Sequence, residues 1–253
     1  MADVNPPPKE QLPNTLFIKT DIASWDQQSS LFFQAHAWHN RLDFVALNAG
    51  IDDRDDIFNT TLNNPPKKPN LSPFDVNLSG TYYGIKLAAY YLSLTSPSKP
   101  NPGGKIVITA SAAALYPVDV VPQYTASKHA LVGLVRCLAP QSQPRNITIN
   151  AVCPAMVKTN LPPPGIMDNF SQDEITPMST ILKCFSELAD LEKSVGAEWV
   201  ERGRNGEVVE GNLEKLIYHP APEKPPISKG MEVWAATYRE RNIRWAKESQ
   251  SKI

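Results

Sequence analysis

Ser111, Tyr124 and Lys128 are side chains whose types and spacing suit acid–base chemistry. Tyr124 and Lys128 are four residues apart, so both lie on one face if the segment is a helix. An ammonium near a phenol favours the phenolate, and we expect it to lower the tyrosine pKa from about 10. A serine hydroxyl close to this pair would hold a substrate carbonyl or hydroxyl while the phenol passes a proton.

Two predicted elements position these residues. The apolar run from Lys105 to Thr109 is dominated by β-branched residues without alternation, which predicts a buried parallel strand that ends near Ser111. Apolar residues then recur at helical spacing over 124–138 and predict a helix. A Tyr–Lys pair at this spacing is common on surface helices. The serine thirteen residues before Tyr124, on a strand that leads into the helix, favours a catalytic interpretation.

Strands and helices alternate as far as Pro154. Further strands are predicted at 15–22, 42–50 and 146–154, and further helices at 24–39 and 74–92. The first helix begins with a capping-box pattern, Ser24 followed by Gln27. The β-α-β-α-β-α-β order predicts an α/β fold with a parallel, doubly wound, Rossmann-like sheet.

The segment after Pro154 is less regular. An amphipathic helix is predicted there, marked by Ile181, Leu182, Phe185, Leu188 and Leu191. A last strand is expected at 205–210 and a helical tail at 228–249. Because the sequence has no internal repeat and no linker, we expect a single domain over residues 1–253.

Composition and charge argue against several classes of protein. The chain has 253 residues and a net charge of −1 without a polybasic block, so nothing favours nucleic-acid binding. No apolar run approaches the roughly 18–20 residues of a membrane span, and no signal peptide is evident, so we expect a soluble cytoplasmic protein. The three cysteines have no CxxC spacing, and His36 and His39 have no further ligand nearby. We therefore expect no disulfide and no metal site.

Ser111 followed by Tyr124-x-x-x-Lys128 at this spacing resembles the short-chain dehydrogenase/reductase family. The resemblance implies that Tyr124 is the general acid/base, that Lys128 lowers its pKa and contacts the nicotinamide ribose, and that Ser111 orients the substrate oxygen. Asn77, in the segment VNLSG, matches an asparagine that holds a local helix distortion and anchors a proton relay in the family. The implied catalytic residues are Asn77, Ser111, Tyr124 and Lys128.

The same resemblance implies a dinucleotide site. LNAG at 47–50 resembles the family motif NNAG, with Leu47 in place of the first asparagine, and CPAMVKT at 153–159 resembles PGxVxT, with Ala155 in place of the glycine. Asp3 matches the aspartate that selects NAD, so NAD(H) is the expected cofactor and NADP(H) the alternative. The implied cofactor-binding residues are Asp3, Asp21, Ile22, Asn48, Ala49, Gly50, Tyr124, Lys128, Val157 and Thr159. Residues 1–154 would form the cofactor and catalytic core, and 155–253 a substrate lid and C-terminal region.

One family feature has no counterpart in this sequence. Members begin with a strand and a glycine-rich turn, TGxxxGxG, that receives the diphosphate, whereas no glycine precedes Gly50 here. The chain resembles a member that lacks the first strand, the first helix and most of the second strand. We then expect the strand at 42–50 to form an exposed sheet edge. An incomplete gene model, a decayed or non-redox descendant, or a partner that covers the edge would each explain this, and the retained catalytic set favours the first.

The resemblance implies an NAD(P)-dependent oxidoreductase acting on a small hydrophobic alcohol or ketone, in secondary metabolism, with similarity to hydroxyprostaglandin-dehydrogenase-like members. Residues 155–195 and the C-terminal tail would supply the substrate side, which includes the apolar residues Met156, Leu161, Ile166, Met167, Phe170 and Met178. A homo-oligomer through helices 74–92 and 124–139 is expected. The alternatives are a cofactor-free isomerase or cyclase that uses Tyr124 as an acid, and an inactive partner protein on the same scaffold.

Overall fold

Seven strands and six α-helices form the regular structure of the described part of this computed structural model, which comprises residues 1–7, 14–58, 66–190, 204–223, 226 and 229–250. The strands are β1 (Ala2–Asp3), β2 (Ile18–Lys19), β3 (Phe44–Leu47), β4 (Gly104–Thr109), β5 (Ile147–Pro154), β6 (Val208–Asn212) and β7 (Lys215–Tyr218). The helices are α1 (Trp25–His39), α2 (Ser72–Phe74), α3 (Thr81–Ser93), α4 (Pro122–Ser142), α5 (Met178–Ala189) and α6 (Lys229–Gln250).

The main sheet has the order β3-β4-β5-β6-β7. Strands β3 to β6 pair in parallel, and β7 adds an antiparallel edge. The centre of the sheet is apolar on both faces: Ile106, Ile108, Ile149 and Ala151 belong to one buried cluster, and Val107 and Val152 belong to another. Burial on both faces explains why these strands lack a polar alternation. The prediction of a Rossmann-like α/β fold with a mainly parallel sheet is confirmed.

Two short strands lie outside this sheet. β1 and β2 pair in parallel, with Ala2 opposite Ile18 and Asp3 opposite Lys19. The strand expected over 15–22 is therefore reduced to two residues. In the part of the chain that the structure describes, β3 pairs with β4 and lies at the edge of the five-stranded sheet, where the sequence predicts an edge.

Helix α1 begins at the capping residue that the sequence indicates. The Ser24 hydroxyl accepts a hydrogen bond from Gln27 N at 3.4 Å. The reciprocal half of the capping box is not formed, because the Gln27 side chain accepts from Asp21 N at 2.8 Å instead. This second bond joins the end of β2 to the helix.

The helix predicted over 74–92 is interrupted. A π-helical segment, Asp75–Gly80, separates α2 from α3. π-helical turns inside α-helices occur often at functional sites. This segment contains Asn77, which the family resemblance associates with a helix distortion.

The C-terminal elements are close to their predicted positions. α5 covers most of the predicted amphipathic helix, but Leu191 and residues 192–195 of the expected substrate side lie outside the described residues. The chain divides into two compact units, Met1–Pro220 and Ala221–Ile253, and α6 belongs to the second. The single-domain assignment stays a prediction. No helix in the described ranges is long and apolar enough to cross a membrane.

Candidate active site

Ser111 lies directly beyond the carboxyl end of β4. Its hydroxyl caps a 3₁₀ turn, Ala112–Ala114, by accepting from Ala113 N at 3.1 Å. Helix α4 then begins at Pro122 and carries Tyr124 in its first turn. The Ser111 side chain lies close enough to the Tyr124 phenol to lower its pKa. The strand and the helix that the sequence predicts thus bring the two hydroxyl groups together.

Lys128 lies one turn further along α4 and is buried, with 2% of its surface exposed. Its Nζ donates to the Thr109 carbonyl at 2.8 Å and lies 5.4 Å from the centre of the Tyr124 ring. Burial lowers the pKa of Lys128 to about 8, because a desolvated ammonium is disfavoured. The i,i+4 spacing therefore places both groups on one face, as predicted.

The electrostatics of Tyr124 differ from the sequence-based prediction. Burial raises the pKa of the Tyr124 phenol, the hydrogen bond from Ser111 acts in the opposite direction, and the charge of Asp52 raises it further. The prediction that Lys128 lowers this pKa is wrong for the protein alone. The ammonium is directed to the Thr109 carbonyl, and desolvation of the phenol dominates.

Asn77 joins the π-helical segment to the residue that follows the NAG motif. Its side chain accepts from Ile51 N at 2.8 Å and donates to Ile51 O at 2.9 Å, and it also donates to Ser127 Oγ at 3.0 Å. The Asn77 residue is fully buried. Asn77 therefore fixes the loop after β3 against α4, next to Lys128.

The segment Asn48-Ala49-Gly50 runs past these groups. Asn48 Oδ1 accepts from Thr109 Oγ1 at 2.9 Å, which connects the ends of β3 and β4. A Cβ added at Gly50 would lie 3.2 Å from both Lys128 Nζ and Asn77 Oδ1. The glycine is therefore needed for the close approach of this backbone to Lys128.

The other predicted cofactor residues lie on separate elements. Asp3 and Asp21 are exposed, and their carboxylates accept from Asn5 N and Ala23 N, respectively. Gln28 donates from its side-chain amide to Ile22 O and to Gly80 O, which ties the end of β2 to the π-helical segment.

Val157 and Thr159 lie in the loop after β5. Val157 packs against the buried cluster on the α5 face of the sheet, and Thr159 is exposed, with its hydroxyl accepting from Leu161 N at 3.3 Å. Within the described residues, no hydrogen bond joins either residue to Asn77, Ser111, Tyr124 or Lys128. The structure thus brings the catalytic set together with Gly50. The roles of Asp21, Ile22, Val157 and Thr159 in cofactor binding stay predictions.

Two features were missed in the sequence. The carboxylate of Asp53 accepts from Gln123 N and Tyr124 N at the start of α4. Glu210, which is 1% exposed, accepts from Tyr116 Oη at 3.0 Å and is paired with His219 Nε2 at 2.8 Å. No local spacing pattern predicts either feature, because Asp53 and Gln123 are 70 residues apart and Tyr116 and Glu210 are 94 residues apart.

The site lies where the carboxyl ends of parallel strands meet. Asn48 follows β3, Ser111 follows β4 and Val157 follows β5. Open parallel α/β sheets bind their ligands at this edge. The fold and the site thus define a Rossmann-like protein with a Ser–Tyr–Lys–Asn constellation.

Comparisons with known proteins identify the family. The profile of the short chain dehydrogenase family matches residues 7–164. The short-chain dehydrogenase/reductase prx6 of Penicillium rubens is 33% identical, over 88% of this chain and 74% of its own length. Human 15-hydroxyprostaglandin dehydrogenase (NAD+) is 32% identical, over 63% of this chain and 53% of its own length. The solved structure of ElxO with NADP bound is 25% identical, with a TM-score of 0.59, over 78% of this chain and 76% of that one. The chain belongs to the short-chain dehydrogenase/reductase family, whose members are NAD(P)-dependent oxidoreductases.

The residues around Lys128 fit the nicotinamide ribose of such a cofactor. An ammonium carries three hydrogens, and among the described residues Lys128 Nζ donates one hydrogen bond, to Thr109 O. The backbone at Gly50 approaches this ammonium closely, since a Cβ there would lie 3.2 Å from Nζ. The residues present at this end of the site therefore fit the group.

Proposed function

We propose that the chain is an oxidoreductase that transfers hydride between NAD(P)(H) and a small hydrophobic alcohol or ketone, with Tyr124 as proton donor and acceptor. The convergence of Ser111, Tyr124, Lys128 and Asn77 around Gly50 is the observation that carries this proposal. The bound cofactor supplies or accepts the hydride. The protein side chains orient the substrate and move the proton.

Each side chain has a role that follows from its contacts. The Ser111 hydroxyl lies close enough to the phenol to lower its pKa, and so can hold the substrate oxygen within reach of Tyr124 Oη. Lys128 supplies a cation beside the ring, and Asn77 with Ser127 continues the polar contacts behind it. For an alcohol substrate, the phenolate accepts the hydroxyl proton. For a ketone, the phenol donates it.

The substrate class is proposed from the segment after β5. Leu161, Ile166 and Met178 are large apolar side chains that remain exposed there. Exposed apolar side chains near a site favour a hydrophobic ligand. The similarity to 15-hydroxyprostaglandin dehydrogenase agrees with a lipid-like alcohol as the substrate.

A cofactor-free acid–base enzyme is the second candidate. The grouping of Ser111, Tyr124 and Lys128 is the observation that supports it, because these side chains can do acid–base chemistry without a cofactor. An isomerase or cyclase would use the Tyr124 phenol as an acid without any hydride transfer. Cofactor binding separates the two candidates.

We expect the 253-residue chain to bind NADH with a saturable transfer of fluorescence from protein to nicotinamide. Replacement Gly50→Val is expected to abolish the signal, because the added atoms meet Lys128 and Asn77. Ala37→Val is the control, since Ala37 is exposed on α1, outside the proposed site and interface. A folded, monodisperse protein that gives no saturable signal would contradict the redox proposal and favour the second candidate.

We further propose a homo-oligomer through α3 and α4. Tyr82 on α3 is 53% exposed, and an exposed aromatic side chain on a long helix is typical of an interface. Light scattering is expected to give a mass of at least about twice the 28.0 kDa of one chain. Tyr82→Lys should shift the mass towards one chain, whereas Gln34→Lys, at an exposed polar position on α1, should not. A wild-type mass of one chain would disprove this assembly.

A further inference from the structure

We propose that Asp53 is a positioning residue for Tyr124: its carboxylate holds the first turn of α4 against the loop after β3. Asp53 follows the NAG motif and does not belong to any of the motifs on which the family resemblance rests. The inference rests on the proposed function, since it assigns to Asp53 the placement of the proton-transferring phenol.

The carboxylate of Asp53 spans two backbone amides of α4. Oδ1 accepts from Tyr124 N at 2.6 Å, and Oδ2 accepts from Gln123 N at 3.1 Å. The first amides of a helix have no acceptor within the helix. A carboxylate at this end also interacts favourably with the helix dipole. Asp53 therefore satisfies the two amides that place the Tyr124 backbone.

Helix α4 has no capping side chain of its own. Val121, which precedes it, makes no side-chain cap, and Pro122 has no N–H to donate. The cap comes instead from a loop about 70 residues earlier in the chain. Loss of Asp53 would leave Gln123 N and Tyr124 N without that acceptor, so the helix start would no longer be fixed to the loop.

The side chain of Gln123 also bonds the loop that carries Asp53. Its side-chain oxygen accepts from Arg54 N at 3.2 Å, and its side-chain nitrogen donates to Asn70 O at 2.9 Å. The first turn of α4 is thus bonded to residues near both ends of the polar loop between β3 and α2. Among the described residues, four hydrogen bonds hold Gln123 and Tyr124 to this loop.

The same loop is fixed at its beginning by Asn77. Ile51 bonds the Asn77 side chain through both its N–H and its carbonyl group. Two residues later, Asp53 bonds Tyr124 N. This short segment therefore sets the position of the phenol relative to Asn77 and to Gly50, which lies beside Lys128. A small displacement of a reacting group can cost about a hundredfold in rate.

The neighbouring carboxylate has a different role. Asp52 accepts from Asp53 N at 2.9 Å, and its charge raises the pKa of Tyr124, whereas Asp53 bonds the backbone. The two adjacent acids thus act on the same tyrosine through different atoms. Substitutions at position 53 test placement without removal of the Asp52 charge.

The test compares Asp53→Ala with Asp53→Asn in the full chain, with NAD+ and a panel of small hydrophobic alcohols. Asp53→Ala is expected to lower kcat by at least about tenfold and to change the KM for NAD+ by less than about twofold. Asp53→Asn keeps one acceptor oxygen and is a good helix cap, so it should recover most of kcat. Asp55→Ala, at an exposed position in the same loop, is the matched control and should retain full kcat.

Amide hydrogen exchange provides a readout that needs no turnover. In Asp53→Ala, the Gln123 and Tyr124 amides should exchange at least about tenfold faster than in the wild type, while amides in the middle of α4 keep their rates. Asp53→Asn should keep Tyr124 N protected and release Gln123 N, so it tests the contact even if Asp53→Ala does not fold.

The outcomes are distinguishable. Unchanged exchange at Tyr124 in Asp53→Ala, or an unchanged kcat in an active protein, would overturn the positioning role. A fall in kcat that follows only a loss of folded protein, without recovery in Asp53→Asn, would also overturn it. A wild type that binds no cofactor and turns over no alcohol would overturn the proposed function, whatever the exchange rates show.

Discussion

Replacement of Tyr124 by phenylalanine is expected to lower kcat by about 10²- to 10⁴-fold, the range for loss of a general acid or base. The variant removes the hydroxyl that lies beside Ser111 and keeps the ring near Lys128. Cofactor affinity should therefore remain within about twofold of the wild type. The measurement is the initial rate of NADH formation from a hydrophobic alcohol, with NADH binding determined on the same samples.

Tyr116→Phe is the matched control for this prediction. The Tyr116 hydroxyl also donates a hydrogen bond, to the carboxylate of Glu210. Tyr116 does not belong to the Ser111–Tyr124 pair. Its loss should change kcat by much less. A Tyr124→Phe variant that keeps more than about a tenth of the wild-type kcat would show that the proton moves through another group. The proposed role of Tyr124 would then be wrong.

The core of the site was predictable because its signals are local. The strand β4, Ser111 at its end, and the Tyr124–Lys128 pair on α4 lie within 25 residues, and each is marked by composition or by helical spacing. The mainly parallel sheet followed from the alternation of apolar strands and helices. Short-range patterns of this kind largely determine where a residue lies within a helix or a strand.

The rest depends on the tertiary structure. Asp53 is a loop residue whose partner lies about 70 positions away, and no spacing rule marks it. The hairpin of β6 and β7 was missed because Leu213, with φ of 52°, occupies a position that normally favours glycine or asparagine. The direction of the Tyr124 pKa shift was predicted wrongly, because spacing shows that a lysine is near but not how far burial removes water from the phenol.

Lys128→Met is expected to remove a pH dependence from the stability of the protein. The pKa of Lys128 is about 8 in the folded protein, whereas the ordinary lysine pKa, which applies to the unfolded chain, is 10.5. Between these values the unfolded chain binds more protons, so the free energy of unfolding rises with pH. At 1.36 kcal/mol per pKa unit, the wild type should gain about 3 kcal/mol relative to Lys128→Met between pH 7 and 10.5. Urea unfolding of both proteins at several pH values measures this difference.

The comparison between the two proteins isolates Lys128 in this pH range, because Cys153, whose pKa the Lys128 charge lowers, still has a pKa of about 12. Methionine has a similar length, but it leaves the Thr109 carbonyl without its donor, which lowers stability at every pH and so does not change the slope. Lys68→Met is the control, since Lys68 is exposed in the loop before α2, outside the proposed site and interface. Parallel stability curves for the wild type and Lys128→Met would contradict the prediction. Diverging curves would show that the protein keeps a destabilising buried cation at this position, which is expected if Lys128 serves the site rather than the fold.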